Sequence, residues 1–322
     1  MGVSQQVGVG AAVPAPTAAR PPGGRPTQPR SRRGVMVALM LAPSLVLLAV
    51  FVLAPLARGI QMSFYTWDGV AAVMDRVWLE NYARVWTDPN FLWALARTVL
   101  WWAIHLSLAV GGGLLTAALI SEIRWRWAQS LFRGLAFLPH VLSLAVVGVV
   151  WSQMYHPTIG LLNGVLDRVG LDALVHPWLG EASTALPAVG IASAWQAYGF
   201  YMVIFLASIQ AIDPALHEAA SIDGAGPWQR FRNVTIPALY NTMSLVIVLA
   251  FINALKGFGT VWAMTQGGPD RSSELVAVYA YRQAFGLGDV GAASAAGLSL
   301  AVIAVLITML FNRWRDRRAS EG

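Results

Sequence analysis

The chain has 322 residues, a formal net charge of +6 and no cysteine, which excludes a disulfide framework, a thiolate metal site and a cysteine nucleophile. Hydrophobic residues make up 57% and charged residues 12% of it, and the mean hydropathy is +0.57, so lipid rather than water is its main solvent. The positive balance does not point to nucleic acid, because the arginines sit beside apolar stretches and no soluble basic domain is left to hold them.

Residues 1–33 are rich in Gly, Pro, Ala and Arg, have almost nothing large and apolar to bury, and read as a disordered cytoplasmic tail. Ser31-Arg32-Arg33 before an apolar run imitates a twin-arginine export signal, but that run is long enough to span and further spans follow. Six long uncharged intervals come next, at 34–57, 98–121, 134–166, 182–212, 233–255 and 290–312. Roughly 20 apolar residues suffice to cross the hydrocarbon as a helix, which satisfies every backbone polar group internally. The reading is therefore an all-α integral membrane protein with six transmembrane helices over 34–315 and a short end at 316–322. Fourteen of the 22 basic residues fall before span one, between spans two and three and spans four and five, or after span six. The positive-inside rule places both termini in the cytoplasm.

On the opposite side, residues 58–91 mix aromatics and charges, as in Phe64-Tyr65-Thr66-Trp67-Asp68, and read as a short amphipathic element at the interface. Gly160 to Leu171 reads as a short external helix and a docking surface, and 275–288 as another helix before span six. Pro139 predicts a kink in span three.

Asp213 to Pro237, on the arginine-bearing side, runs DPALHEAASIDGAGPWQRFRNVTIP. Asp213 is a good N-cap, Pro214 suits the first helical position, and Asp223-Gly224 supplies an exit through the left-handed conformation. Gly226-Pro227 starts a second helix with Trp228, Phe231 and Val234 at helical spacing, and Pro237 opens span five. Such a helix-turn-helix can cap the bundle or insert into a partner's groove.

Glu218-Ala219-Ala220, then Gly224, then Val234-Thr235-Ile236-Pro237 resembles the EAA signature of binding-protein-dependent ABC importer permeases, with Val234 and Ile236 departing from its usual Ile and Leu. Trp195 to Gln210, Thr265-Gln266-Gly267-Gly268-Pro269 and Tyr281-Arg282-Gln283-Ala284-Phe285 are similar to the carbohydrate branch of the maltose and glycerol-phosphate permease type. The resemblance covers about residues 35–315 and implies a type I importer bundle in a bacterial or archaeal cytoplasmic membrane. It implies that loop 211–238 is a coupling helix docked on an ATPase subunit, through Glu218, Ala219, Ala220, Asp223, Gly224, Phe231 and Pro237. It also implies a second, unlike permease subunit, two ATPase subunits carrying ATP and magnesium, and an extracytoplasmic solute-binding protein that delivers a sugar or sugar derivative.

The residues agree with that division of labour. A phosphate-binding loop needs Gly-Lys-Ser/Thr, whereas the only lysine, Lys256, lies between Leu255 and Gly257, so ATP hydrolysis is expected on another polypeptide. The five histidines have no metal-type spacing, and neither an enzyme nor a resident cofactor is expected. An ion-coupled secondary transporter and a non-transporting scaffold are the alternatives, but no Asp or Glu lies inside the six intervals to carry proton or sodium coupling. Sugar sites combine aromatic faces with amide and hydroxyl donors. That makes Trp195, Gln196, Tyr198 and Tyr201 of span four, and Asn253, Lys256 and Phe258 of span five, the candidate solute path. Trp101, Trp102, His105 and Trp151 are assigned to packing or the interface.

Overall fold

A computed structural model describes Gly2, residues 30–70 and residues 73–321. Most of the expected tail, residues 1–33, lies outside the described residues, and helix already begins at Arg30. The described chain forms two units, residues 1–55 and residues 56–322.

Among the described residues four helices are long and apolar enough to cross a membrane: α1 Met36–Met62, α3 Pro89–Ser121, α7 Ala185–Gln210 and α13, whose span is Val290–Arg315. Between α1 and α3 lie a two-stranded antiparallel ribbon, β1 Tyr65–Thr66 with β2 Asp75–Arg76, and the short helix α2 Glu80–Thr87. Two further spans are bent pairs, α4 Arg126–Val141 with α5 Leu144–Met154 at 95°, and α9 Pro227–Ala238 with α10 Tyr240–Leu255 at 72°. Six spans result when each pair counts as one. The remaining helices are α6 Leu161–Arg168, α8 Pro214–Ile222, α11 Gly259–Met264 and α12 Val276–Tyr281.

Several expected boundaries move. Span two starts at Pro89 rather than residue 98, because Asp88 caps it by accepting from Asn90 N at 2.9 Å and Pro89 occupies the first turn. The expected kink at Pro139 becomes a full break three residues later. There Leu142 and Ser143 adopt extended backbone, and Ser143 Oγ caps α5 by accepting from Val146 N at 3.3 Å. Pro237 does not open a straight span; it lies in the short last segment of α9, just before the 72° bend. Among the described residues four helical segments widen to π turns, Ala49–Leu53 inside α1, His105–Val110 inside α3, Phe231–Thr235 inside α9 and Arg282–Gly286 directly after α12.

The core of the second unit is α7, whose small and large residues alternate against α3, α4 and α10. Ala109 and Ala117 of α3 meet Ala194, Met202 and Phe205 of α7, with Val246 and Ala250 of α10 on the same cluster. Gly113 permits the approach: a Cβ there would sit 2.9 Å from Met202 N and Tyr198 O. Close contact through small residues is how helices associate where surrounding lipid is as apolar as leucine.

A polar layer ties α2 to the ends of α3, α12 and α13. Arg84 pairs with Asp289 at 2.9 Å, Tyr279 Oη donates to Asp88 Oδ2 at 2.7 Å, and buried Asn81 donates to Ser63 O and Tyr65 O. Burial in this layer pushes the Tyr279 hydroxyl above its ordinary range, reinforced by Asp88. Fully buried Glu274 faces Arg282 at 3.0 Å and Arg271 at 3.7 Å. Burial still pushes its carboxyl up, against the pull of those two guanidinium groups.

Candidate functional site

One cavity of about 340 Å³ opens in the second unit, walled by α3, the break between α4 and α5, α7, and the turn that follows α10. The α4–α5 break makes room for it. A straight helix would carry its backbone past this point, whereas the turn at Leu142–Ser143 leaves two carbonyls without helical partners. Gln196 Nε2 donates to both, to His140 O at 3.2 Å and to Leu142 O at 3.3 Å. The side chain read from sequence as a solute donor therefore holds the break open from α7.

On α3, His105 opens the π turn and is almost wholly buried. Its Nδ1 lies 3.0 Å from Trp101 O and its Nε2 lies 3.1 Å from Ser193 Oγ. A carbonyl can only accept, so Nδ1 carries a hydrogen, while Nε2 is joined to the Ser193 hydroxyl. These two bonds orient the imidazole beside the Trp101 ring, with the ring centroids 4.6 Å apart. Across the break, His140 stacks on Phe200 at 5.2 Å and 26°.

The opposing wall is the end of α10. Asn253 Nδ2 donates to Tyr201 Oη at 3.5 Å. Lys256 follows the last helical residue, with its backbone N donating to Asn253 O. Phe258 stacks on Trp262 with centroids 5.5 Å apart and planes 13° apart, so its ring is fixed where α11 begins. The cavity thus presents aromatic faces, two amides, three hydroxyls, two imidazoles and one ammonium, and no Asp or Glu lines it.

Of the residues expected to form the path, Tyr201, Asn253, Lys256 and Phe258 meet at this cavity, together with Gln196. Trp195 and Tyr198 do not line it. Trp195 turns to Trp151, rings 5.6 Å apart at 66°, and Tyr198 is packed within the cluster that joins α7 to α3. Trp101 and His105, assigned to packing, do line the cavity, as do His140 and Ser193, which were not singled out for this role. A signal existed for the histidines: an imidazole inside an apolar interval is costly in lipid unless it faces a cavity or a partner. Among the described residues no group of three or more His, Asp or Glu gathers as a metal site.

The second feature is the loop carrying α8. Asp213 Oδ1 accepts from Ala215 N at 2.9 Å, and Pro214 follows at the first helical position. The helix ends in a Schellman arrangement, Ala225 N to Ala220 O at 2.9 Å and Gly224 N to Ser221 O at 3.1 Å, with Gly224 at φ +79°. Arg230 Nη1 donates to Ser221 Oγ at 3.0 Å and holds α9 against α8. No residue of α8 is buried; Glu218, Ala219, Asp223 and Pro237 are exposed, Ala220 and Phe231 half-buried. Ile222 is 86% exposed and Trp228 67%, an apolar pair left uncovered by the described residues.

The model of the family described as "Binding-protein-dependent transport system inner membrane component" matches residues 30–321. The chain is similar to the diacetylchitobiose uptake system permease protein NgcF of Streptomyces coelicolor, at 34% identity over 92% of this chain and 88% of the relative. It is similar to the lactose transport system permease protein LacF of Rhizobium radiobacter, at 31% identity over 87% and 94%. Among solved structures it resembles a chain of a bacterial alginate ABC transporter in complex with a periplasmic protein bound to alginate pentasaccharide. That match has a TM-score of 0.76 and 25% identity over 89% of this chain and 96% of the other.

Proposed function

This chain belongs to the binding-protein-dependent transport system inner membrane component family and is an integral membrane permease subunit of an ABC importer, and we propose that it passes a sugar or sugar derivative through the cavity beside α10. The observation that carries this reading is the lining. A sugar ring offers apolar C–H faces and a rim of hydroxyls, and the cavity opposes aromatic faces of Trp101, Tyr201 and Phe258 to the donors of Asn253 and Lys256. The relatives named for diacetylchitobiose and lactose uptake support the solute class.

In this reading a second, unlike permease subunit closes the open side of the cavity, and an extracytoplasmic binding protein delivers the solute. Two ATPase subunits hold ATP and magnesium, since this chain has no phosphate-binding lysine motif. The exposed α8, with Ile222 and Trp228 uncovered, is the element that seats in an ATPase groove. Glu218 and Asp223 face that groove, while Ala219 and Ala220 allow its wall to approach the helix closely. Phe231 and Pro237 pass the displacement of α8 through α9 to the bend before α10. Closure of the ATPases then favours one arrangement of the bundle over another. The arginine distribution supports cytoplasmic termini and α8 on the cytoplasmic face.

Affinity purification of the tagged chain in mild detergent checks the assembly: an ATPase subunit and a second permease are expected to co-purify with ATP hydrolysis activity. Recovery of this chain alone, in folded form, contradicts the reading.

A further inference from the structure

Lys256 is the only lysine in the chain and the only fixed charge lining the cavity. Its position is held rather than incidental. Lys256 is the residue just past the end of α10, three positions after Asn253, and both residues line the same wall of the cavity. Among the described residues no Asp or Glu pairs with it. The negative end of α10 supplies roughly half an elementary charge at this point, which offsets the ammonium only in part. A charge facing a cavity at membrane depth is costly when it has no counter-ion. The other polar groups lining the cavity, among them Asn253, Tyr201, Gln196 and His105, bring no negative charge to it.

Resting on the reading of this cavity as the solute path, we infer that Lys256 makes the path selective for a solute that carries an anionic group, a carboxylate or phosphate, on its sugar frame. A lysine offers a compact charge with three rotatable donors rather than the planar fork of arginine. It therefore suits a single anionic oxygen beside hydroxyls, with Asn253 taking a neighbouring hydroxyl and the aromatic rings the C–H face. The charge also raises the local concentration of anions before any contact forms.

The absence of cysteine from the chain makes the electrostatic part directly measurable. Ala197, which lines the cavity, is replaced by cysteine in the assembled importer, and this chain is followed by mass spectrometry. The thiol is challenged with a sulfonate-bearing and a trimethylammonium-bearing methanethiosulfonate. Lysine lowers a nearby thiol's pKa equally for both reagents, so the ratio of the two rates reports the field. That ratio is expected to favour the anion, and to fall about tenfold when Lys256→Gln is added. Asn253→Cys provides a second reporter if Ala197→Cys assembles poorly. Labelling by both reagents with a ratio that Lys256→Gln leaves unchanged overturns this inference and leaves the path reading intact, as it would if a carboxylate of the second permease already neutralised the ammonium. No labelling at either position overturns the path reading as well. Protection is then tested with millimolar glucuronate, glucose 6-phosphate and glucose. Stronger protection by either acid than by glucose supports the inference and identifies carboxylate or phosphate, whereas equal protection by glucose, or none from the acids, overturns it.

Discussion

Gly224→Val is expected to lower uptake at least tenfold while the subunit still assembles and its melting temperature stays within a degree or two. Gly224 holds φ at +79°, and a Cβ built there meets nothing within 4 Å, so the cost of a side chain is backbone strain and not a clash. That strain is about 2 kcal/mol, greater for a β-branched residue. It acts on the Schellman turn that sets the angle between α8 and α9, two helices otherwise joined by the hydrogen bond from Arg230 to Ser221. About 2 kcal/mol shifts the ratio of correctly presented to misdirected α8 by roughly thirtyfold. ATP hydrolysis by the assembled complex should persist without transport. Gly224→Asn is the control, because asparagine enters the left-handed region at little cost and should retain most uptake. Normal uptake by the valine variant would remove the turn from the coupling path.

The second large effect separates two residues that sequence placed in one class. Gln196→Leu is expected to destabilise the subunit by about 1–3 kcal/mol, because His140 O and Leu142 O lose their shared donor at the α4–α5 break. Uptake should collapse with it. Asn253→Ala removes an exposed amide that donates to the Tyr201 hydroxyl at 3.5 Å, and should leave the melting temperature nearly unchanged. Its uptake should nonetheless fall about tenfold, the cost of one hydrogen bond to a solute hydroxyl. Thermal melts followed by fluorescence-detected size exclusion, alongside uptake, resolve the two. Equal melting temperatures for both variants would show that Gln196 does not hold the break.

How much was legible follows the range of the interactions involved. The loop 213–237 could be read almost residue by residue, because an aspartate cap, a proline in the first turn and a glycine with positive φ act within a few positions of one another. The break in span three could not. Residues 134–166 carry no charge, Pro139 hints only at a kink, and the amide that satisfies the break comes from Gln196 on another helix, 54 and 56 residues along the chain. The cavity was half legible. Asn253 and Lys256 stand out as polar groups in an apolar stretch. Aromatic identity, by contrast, does not say which way a helix face turns: Trp195 is six residues from Tyr201, about 120° around α7, and lies outside the cavity. Trp101 and His105 were assigned to packing because their role depends on the placement of α7, where Ser193 completes the histidine's hydrogen bonds.

In the proposed function this chain opens a path whose work is done by ATP hydrolysis on another polypeptide. Uptake by proteoliposomes containing the purified assembly tests it most directly, with a radiolabelled solute chosen because it raises the melting temperature of the partner binding protein. Accumulation is predicted to require both the binding protein outside and ATP inside, and to be indifferent to a protonophore and to sodium. Accumulation without ATP that a protonophore abolishes would contradict the account.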